Sequence, residues 1–252
     1  MQTQLLNKEA VVAADIETST DEYAMRFSGS VGQWMLERQA RLTMALLGGG
    51  GALDILDVGG GHGQLARPMN EAGHNITVLG SAPSCVHRLT DLAESGQIKF
   101  ISGNVLELPF ADNSFDTAVC FRLVTHCADF GRLISELCRV ARKSVIIDYP
   151  TIQSVNIAAK ALFGAKRRVE GDTRHWALFR HRQIDEAFSA AGWRTVARRK
   201  QFFMPMVFYR LLRSRRFAAL LEGVFAAVGL TGLFGSPVIV RAEPSNKREA
   251  VK

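Results

Sequence analysis

A glycine-rich segment follows a short apolar one, because residues 53–58 lead directly into Gly-Gly-Gly-His-Gly at residues 59–63. This pattern predicts a strand that turns sharply through the glycines and continues as a helix from about Gln64. Glycines tolerate a tight turn and carry no side chain, and a helix start offers free N–H groups, so a ligand can approach the main chain closely. An ordinary packing turn would use the same residues, and on the loop alone both interpretations stand.

The elements that must position this loop alternate along the chain. Strands separated by crossover helices predict a parallel sheet with right-handed connections, in which ligands lie beyond the carboxyl ends of the strands. Apolar and β-branched runs predict strands at residues 53–58, 75–79, 99–102, 115–121, 144–148, 194–203 and 237–242. Apolar periodicity predicts helices at residues 24–47, 64–71, 83–94, 132–140, 155–163 and 183–191.

Length and composition favour one globular domain. The chain has 252 residues, of which 47% are hydrophobic and 22% charged, enough for a sizeable core. The first 14 residues lack a basic start followed by an apolar run, so no signal peptide is predicted. Four cysteines without a C-x-x-C pair predict reduced, buried thiols in a cytoplasmic protein, and the His and Cys spacing predicts no metal site.

The formal net charge of +7 is concentrated in one region. Residues 160–216 contain fifteen Lys or Arg against four Asp or Glu. Such a stretch attracts nucleic acid, an anionic membrane surface or an acidic ligand, although a solvated helix face would explain it equally well. We expect no nucleic-acid partner, because no binding motif accompanies the charge.

Two segments resemble a known family. Residues 56–63, Leu-Asp-Val-Gly-Gly-Gly-His-Gly, resemble the first motif of the class I S-adenosylmethionine-dependent methyltransferases. Residues 103–116, which contain Leu-Pro-Phe-Ala-Asp-Asn-Ser-Phe-Asp, resemble the acid loop and fourth strand of the small-molecule and quinone-methylating branch. The resemblance covers residues 53–148 well and the carboxyl third in outline. It implies a Rossmann-like α/β fold, with a seven-stranded, mostly parallel sheet, helical insertions, and S-adenosyl-L-methionine as cofactor.

The resemblance also implies a set of cofactor contacts. Asp57 is expected to orient the loop or to accept from the cofactor's ammonium group, although a carboxylate that caps local N–H groups would suit the same position. Asn104 stands where the family usually has Asp, and its amide oxygen still accepts a hydrogen bond from adenine. The full set of expected contacts is Asp57, Gly59, Gly61, Gly63, Gly80, Ser81, Asn104, Val105, Phe121 and Arg122.

One departure concerns the end of the second strand. The family normally has an Asp or Glu there, which accepts from both ribose hydroxyls, whereas this chain has Gly80 followed by Ser81. A serine hydroxyl is a weaker acceptor than a carboxylate, and losing a charged hydrogen bond costs about 1–3 kcal/mol of binding. The alternative to an active enzyme is therefore a catalytically degenerate binding or scaffold protein that keeps the fold.

Methyl transfer from a sulfonium depends mainly on alignment of nucleophile, methyl group and leaving sulfur, helped by a base where the acceptor is a phenol or enol. His126, just past the fourth strand, is the first candidate for that base, with a capping or core role as the alternative. Asp148 and Tyr149 end the fifth strand and are expected to line the same crevice. A second cluster, expected to contact the acceptor, comprises His175, Trp176 and His181.

Additional segments surround the predicted core of residues 51–150. Residues 1–50 are expected to form a helical lid, and residues 151–182 and 204–235 to form insertions on the acceptor side. Residues 204–235 interleave apolar side chains with arginines, which suits a pocket cover, a subunit contact or a helix at a bilayer surface, and their charge and glycines exclude a membrane span. We predict a cytoplasmic enzyme that O- or C-methylates a small, apolar acceptor, with peripheral membrane contact through residues 204–235 as a secondary expectation.

Overall fold

The computed structural model describes residues 14–155 and 177–245, which contain a seven-stranded sheet with strand order β3-β2-β1-β4-β5-β7-β6. Strands β1 to β5 pair in parallel, and β7 runs antiparallel to both β5 and β6. The predicted α/β fold with a mostly parallel sheet is thereby confirmed. The strands are β1 (Asp54–Val58), β2 (Asn75–Gly80), β3 (Ile98–Ser102), β4 (Phe115–Cys120), β5 (Ala141–Tyr149), β6 (Trp193–Phe202) and β7 (Ser236–Pro244).

Helices cover both faces and the carboxyl end of this sheet. Residues 14–18 are also helical, and 3₁₀ helices span Gly60–His62, Pro83–Leu89 and Val124–His126. The α-helices are α1 (Asp21–Met25), α2 (Gly29–Leu47), α3 (Ala66–Glu71), α4 (Thr90–Glu94), α5 (Phe130–Val140), α6 (His181–Ala190), α7 (Met206–Leu211), α8 (Arg215–Ala227) and α9 (Leu230–Phe234).

Two predicted helices differ from the observed ones. The single helix predicted at residues 24–47 is interrupted between α1 and α2, because Gly29 adopts a φ of +72°, a left-handed conformation that turns the chain. The helix predicted at 83–94 is a 3₁₀ helix followed by α4. The predicted helix at 155–163 lies outside the described residues, apart from residue 155.

The core consists of two layers, one on each face of the sheet. Leu56 and Val58 of β1 pack with α5 and α6, whereas Ile55 packs with α2 and α3 on the opposite face. All six residues of β4 are buried, as expected for a central parallel strand covered on both sides. The alternation along β1, β4 and β5 directs successive side chains to opposite layers and brings their carboxyl ends to one edge.

Residues 204–235 form α7, α8 and α9, which are fixed to the domain by an aromatic group and a buried carboxylate. The ring of Trp34 lies 5.5 Å from that of Phe202 and 5.6 Å from that of Tyr209. The fully buried Glu222 accepts hydrogen bonds from the Tyr209 hydroxyl, from Thr231 Oγ1 (2.7 Å) and from the main-chain N–H of Phe203 (3.1 Å). Arg38 adds an ion pair with Nη2 at 3.3 Å.

No α-helix among residues 14–155 and 177–245 combines the length and the apolar character that a bilayer crossing requires.

Because Glu222 accepts hydrogen bonds from three donors around α7, α8 and α9, replacing it with alanine should destabilise the domain. Glu222→Ala leaves buried donors without an acceptor, and we expect the free energy of unfolding to fall by about 2–4 kcal/mol. Urea unfolding monitored by circular dichroism measures this change. The exposed Glu94 in α4 provides the matched control, because Glu94→Ala should change stability by less than about 0.5 kcal/mol. Equal effects of the two substitutions would contradict the anchoring role of Glu222.

Candidate active site

The predicted glycine turn follows β1. Gly59 and Gly63 adopt φ values of +74° and +72°, so both ends of the turn use left-handed backbone that favours glycine. The N–H of Gly59 donates to the carbonyl of Leu79 at 2.8 Å, which ties the turn to the end of β2. A Cβ built on Gly60 would collide with the carboxylate of Asp57, so this position also requires glycine. The following helix begins at Ala66, two residues later than predicted.

Asp57 carries a buried carboxylate directly beneath this turn. The side chain is fully buried, and neither carboxylate oxygen has a hydrogen-bond partner in the described part of the chain. Burial, together with the negative charge of Asp15, raises the pKa of Asp57 to about 7. The structure therefore gives no support to a role in capping local N–H groups. A buried acceptor without donors instead favours a ligand that brings a positive charge or N–H groups.

The histidine of the turn, His62, is also buried. Its Nδ1 accepts a hydrogen bond from the N–H of Gln64 at 3.1 Å, and its Nε2 has no hydrogen-bond partner within the described ranges. Burial lowers the pKa of His62 well below its usual value, and the nearby charges of Arg122 and Arg88 act in the same direction. His62 is therefore a neutral ring at physiological pH.

The end of β2 carries a carboxylate that does not come from the strand. Asp15, in the helical turn at residues 14–18, accepts a hydrogen bond from the main-chain N–H of Ser81 at 2.5 Å through Oδ2. The sequence gives no signal for Asp15, because residues 1–20 show no motif that would place a side chain at this distant strand end. The sequence does show one related signal: position 80 is a glycine, where the family resemblance implies an acidic residue.

Residues 14–19 lie across the glycine turn. The hydroxyls of Thr18 and Ser19 donate to the carbonyl of Asp15 at 3.0 and 2.9 Å, which closes a tight helical turn. A Cβ built on Gly61 would meet the Oγ of Ser19, so this turn packs directly on the glycine backbone. Burial raises the pKa of Asp15, although the hydrogen bonds from Ser81 oppose this effect.

The side chains of three other residues expected to contact the cofactor make contacts within the protein. The Oδ1 of Asn104 accepts a hydrogen bond from the N–H of Leu106 at 3.0 Å. The side chains of Val105 and Phe121 are buried in the two core layers. Val105 and Phe121 therefore offer a ligand their main chain rather than their side chains.

Arg122, directly after β4, joins the described part of the predicted lid, residues 14–50, to the sheet. Its φ of +64° is unusual for a residue other than glycine, and its N–H donates to Asp148 Oδ1 at 2.6 Å. Its guanidinium lies 4.3 Å from the ring centroid of Phe27 and 5.5 Å from that of Tyr23. These cation–π contacts hold α1 and the segment after it over the carboxyl end of the sheet.

Ion pairs fix the other side of the lid. Asp21 accepts from Arg88 Nη1 at 2.5 Å and lies 3.1 Å from His87 Nε2, so α1 is joined to the 3₁₀ helix that follows β2. The hydroxyl of Thr20 caps α1 by accepting from the N–H of Tyr23 at 3.2 Å. The predicted lid therefore has defined contacts on both sides of the glycine turn.

A cavity of about 490 Å³ opens beneath the lid, at the carboxyl ends of β4, β5 and β6. Its polar lining includes His126 and Asp148, which the sequence analysis selected, and Arg122. Burial raises the pKa of Asp148 to about 6, partly offset by Arg122. The apolar lining comprises Phe27, Met35, Leu36, Pro150, Leu178, Phe202, Pro205, Met206, Val207 and Pro237, joined by Tyr23; Gln39, Thr125, Gln201, Arg210 and Ser236 complete the wall.

Tyr149 and His181 lie on the other side of β5. Successive strand residues face opposite sides, so Tyr149 turns into the core while Asp148 faces the cavity. The Tyr149 hydroxyl lies 2.8 Å from His181 Nδ1, and burial raises the pKa of Tyr149 to about 12. The structure thus separates these two residues from His126 and Asp148. The other members of the predicted acceptor cluster, His175 and Trp176, lie outside the described residues.

The four cysteines are free and buried. Across the described ranges 14–155 and 177–245, no group of three or more His, Cys, Asp or Glu is arranged to hold a metal ion.

Comparison with known proteins identifies the segment that carries this site. Residues 56–147, from β1 to β5, match the family model described as a methyltransferase domain. Residues 56–147 are a methyltransferase domain. The matched segment contains the glycine turn, Asp57, Arg122 and His126.

Relatives of the methyltransferase domain share part of their length with this chain. Malonyl-[acyl-carrier protein] O-methyltransferase of Pseudescherichia vulneris is 31% identical over 155 residues, which are 60% of this chain and 56% of that protein. Demethylmenaquinone methyltransferase of Deinococcus radiodurans is 30% identical over 124 residues, 46% of this chain and 48% of that protein. The chain thus spans about half the length of these curated relatives.

The fold of the methyltransferase domain and its additions is similar to a solved structure. Magnesium protoporphyrin IX methyltransferase from Synechocystis, crystallised with bound SAH, superposes with a TM-score of 0.65 at 13% identity. The superposition covers 96% of this chain and 100% of that one. At this identity the likeness concerns the fold.

The buried carboxylate of Asp57 predicts a specific pH dependence of stability. Its pKa is about 7 in the folded protein against an ordinary value of 3.8, so between these values the folded state holds a proton that the unfolded state has lost. Wild-type stability relative to Asp57→Asn should therefore fall by at least about 1 kcal/mol from pH 4 to pH 7 and level off above that. Urea unfolding at several pH values measures the difference.

The control for this prediction is Asp112→Asn. Asp112 is exposed, so this substitution removes a carboxylate of the same type without removing a buried one, and we expect a much smaller change in the pH slope than for Asp57→Asn. A stability difference between wild type and Asp57→Asn that is constant from pH 4 to pH 8 would show that Asp57 does not titrate as described.

Proposed function

We propose that this protein is a cytoplasmic S-adenosylmethionine-dependent methyltransferase that acts on a small, apolar acceptor. The observation that carries the proposal is that the glycine turn of a methyltransferase domain and an apolar cavity lined by Asp148 and His126 lie at the carboxyl ends of paired parallel strands, β1 and β4. The SAH bound to the similar Synechocystis enzyme supports the same class of cofactor. The proposal covers activity, cofactor and acceptor class together.

The residues around the glycine turn suit this cofactor. S-adenosylmethionine supplies, when bound, an electrophilic methyl group on a sulfonium, and it carries an ammonium group as well. Asp57 has two buried oxygens without donors, which an ammonium group would satisfy. The glycines at 59–63 leave the main chain free of side chains for close approach.

The cavity suits an acceptor with an acidic hydroxyl or an enolic ring. Asp148 has a pKa of about 6, so it is largely ionised at pH 7 and can take the proton that the acceptor loses. His126, the first candidate base from the sequence, lines the same cavity. The cavity's apolar wall excludes water and holds the ring of an aromatic or quinone-like acceptor. The relatives include an O-methyltransferase and a demethylmenaquinone methyltransferase, which supports oxygen or quinone acceptors.

A catalytically degenerate scaffold is the competing function. It is favoured by the absence of an acidic residue at position 80 and by the packing of residues 14–19 on the glycine turn. An enzyme and a scaffold differ in two measurable properties, because the enzyme binds the cofactor and transfers its methyl group.

Calorimetry and a transfer assay test the proposed function together. The wild type should bind S-adenosylmethionine and SAH, and should transfer tritiated methyl groups to 1-naphthol or to 2-hydroxy-1,4-naphthoquinone, two apolar probes with acidic hydroxyls. His126→Ala should lower turnover by about 10²-fold or more while leaving SAH affinity nearly intact, because the loss of a base affects the reacting state. Absence of binding to either cofactor form would favour the scaffold, and unchanged turnover of His126→Ala would assign it a packing role.

We further propose that the acceptor reaches the cavity from an anionic membrane surface. The outer face of α8 exposes Phe217, Leu220 and Val224, with 52%, 65% and 52% of their surfaces accessible, whereas Ala218 and Glu222 on its inner face are buried. Arg213 and Arg216 are exposed beside these apolar residues. Apolar side chains flanked by arginines are typical of helices that lie at lipid headgroups.

Vesicle flotation tests this contact. The wild type should float with vesicles that contain phosphatidylglycerol and less with pure phosphatidylcholine. Replacing Phe217, Leu220 and Val224 together with serine should remove most of the recovery, since it removes the apolar face and keeps the charges. The control is Val196→Ser, which changes an apolar residue of 40% exposure on β6, outside α8. Equal recovery of the triple variant and the control would eliminate membrane contact through α8.

A further inference from the structure

The end of β2 is closed to the acidic side chain that the family resemblance leads one to expect. A Cβ built on Gly80 would lie 2.6 Å from the Cβ of Cys85 and 2.9 Å from a ring carbon of Phe100. A carboxylate at position 80 would therefore require both neighbours to move. The chain has filled the place of that side chain with a thiol and an aromatic ring.

A carboxylate nevertheless lies at this strand end. Asp15 Oδ2 accepts from the N–H of Ser81 at 2.5 Å and from the thiol of Cys85 at 3.4 Å. The two residues that anchor Asp15 are thus the residue after Gly80 and the residue that blocks it. The turn at residues 14–18 holds the carboxylate in this position, because Thr18 and Ser19 bond back to the carbonyl of Asp15.

The second oxygen of Asp15 finds no donor among the residues that the structure describes. Asp15 Oδ1 is buried without a hydrogen-bond partner there and faces the glycine turn, 3.4 Å from the position of a Cβ on Gly59. A buried carboxylate oxygen without a donor is costly, and a ligand hydroxyl at this place would relieve the cost. Asp57 lies close enough to Asp15 for the charge of Asp15 to raise the pKa of Asp57. Both carboxylate oxygens of Asp57 are also buried without a donor among the described residues.

We propose that Asp15 is the residue that accepts from the ribose hydroxyls of the bound nucleoside, in place of the acid missing from β2. This inference rests on the proposed cofactor. Because Ser19 packs on Gly61, residues 14–19 must lift to admit the ligand and then close on it with Oδ1 toward the ribose. Residues 14–19 would then be part of the binding site, and Asp57 would hold the cationic end of the same ligand.

Calorimetry with three ligands tests the role of Asp15. The wild type should bind adenosine at least about tenfold more tightly than 2′,3′-dideoxyadenosine, because the dideoxy compound leaves the carboxylate without donors. Asp15→Asn should weaken SAH and adenosine by about tenfold to a hundredfold, leave dideoxyadenosine nearly unchanged and so abolish the preference. The matched control is Glu17→Gln, in the same helical turn, whose carboxylate pairs with Arg26 at 3.0 Å and should not affect nucleoside binding.

Each other outcome overturns the inference or the proposal beneath it. Tighter SAH binding by Asp15→Asn would show that Asp15 merely blocks the site, and an unchanged preference for adenosine would show that another group reads the ribose. Should Asp15→Asn fail to fold by circular dichroism, the wild type alone decides, because equal binding of adenosine and dideoxyadenosine excludes a ribose acceptor at Asp15. Failure of the wild type to bind SAH at all would instead remove the proposed cofactor.

Discussion

The buried carboxylate of Asp57 is the constraint around which the site is arranged. It lies at the end of β1, beneath a turn that only glycine can form, and it finds no hydrogen-bond donor among residues 14–155 and 177–245. A negative charge in such a place is tolerated only if it is protonated or if a ligand compensates it. The glycines, the buried neutral His62 and the lid enclose this charge rather than neutralise it, which is the expected state of a site built for a cationic ligand.

The main elements of the fold could be predicted because local sequence determines them. β-branched runs gave the strands, and glycines after β1 gave the turn, since both patterns follow from backbone sterics. The separation of Asp148 from Tyr149 follows from the same alternation, although the sequence analysis placed both in one crevice. His126 and Asp148 were found at the cavity, because parallel strands bring their carboxyl ends to one edge.

The contribution of Asp15 could not be predicted from local patterns. It depends on a contact between residues 66 positions apart in the chain, and no periodicity or turn signal encodes such a contact. The same holds for Glu222, because the sequence showed it only as a charge that argues against a membrane span and not as an anchor. The break between α1 and α2 depends on the left-handed conformation of Gly29, which the residue type alone does not predict, because glycine also occurs inside continuous helices.

Arg122 contacts both the segment around α1 and the cavity at the carboxyl ends of β4, β5 and β6. One guanidinium stacks under the rings of Tyr23 and Phe27 and also lines the cavity at the carboxyl ends of β4, β5 and β6. If the acceptor that we propose displaces or orders this group, it changes the free energy of the contacts with Tyr23 and Phe27, and those contacts change the affinity of the acceptor by the same factor. Under the proposed function, cofactor and acceptor binding on the two sides of Arg122 would therefore be thermodynamically linked through one side chain, without any contact between the two ligands.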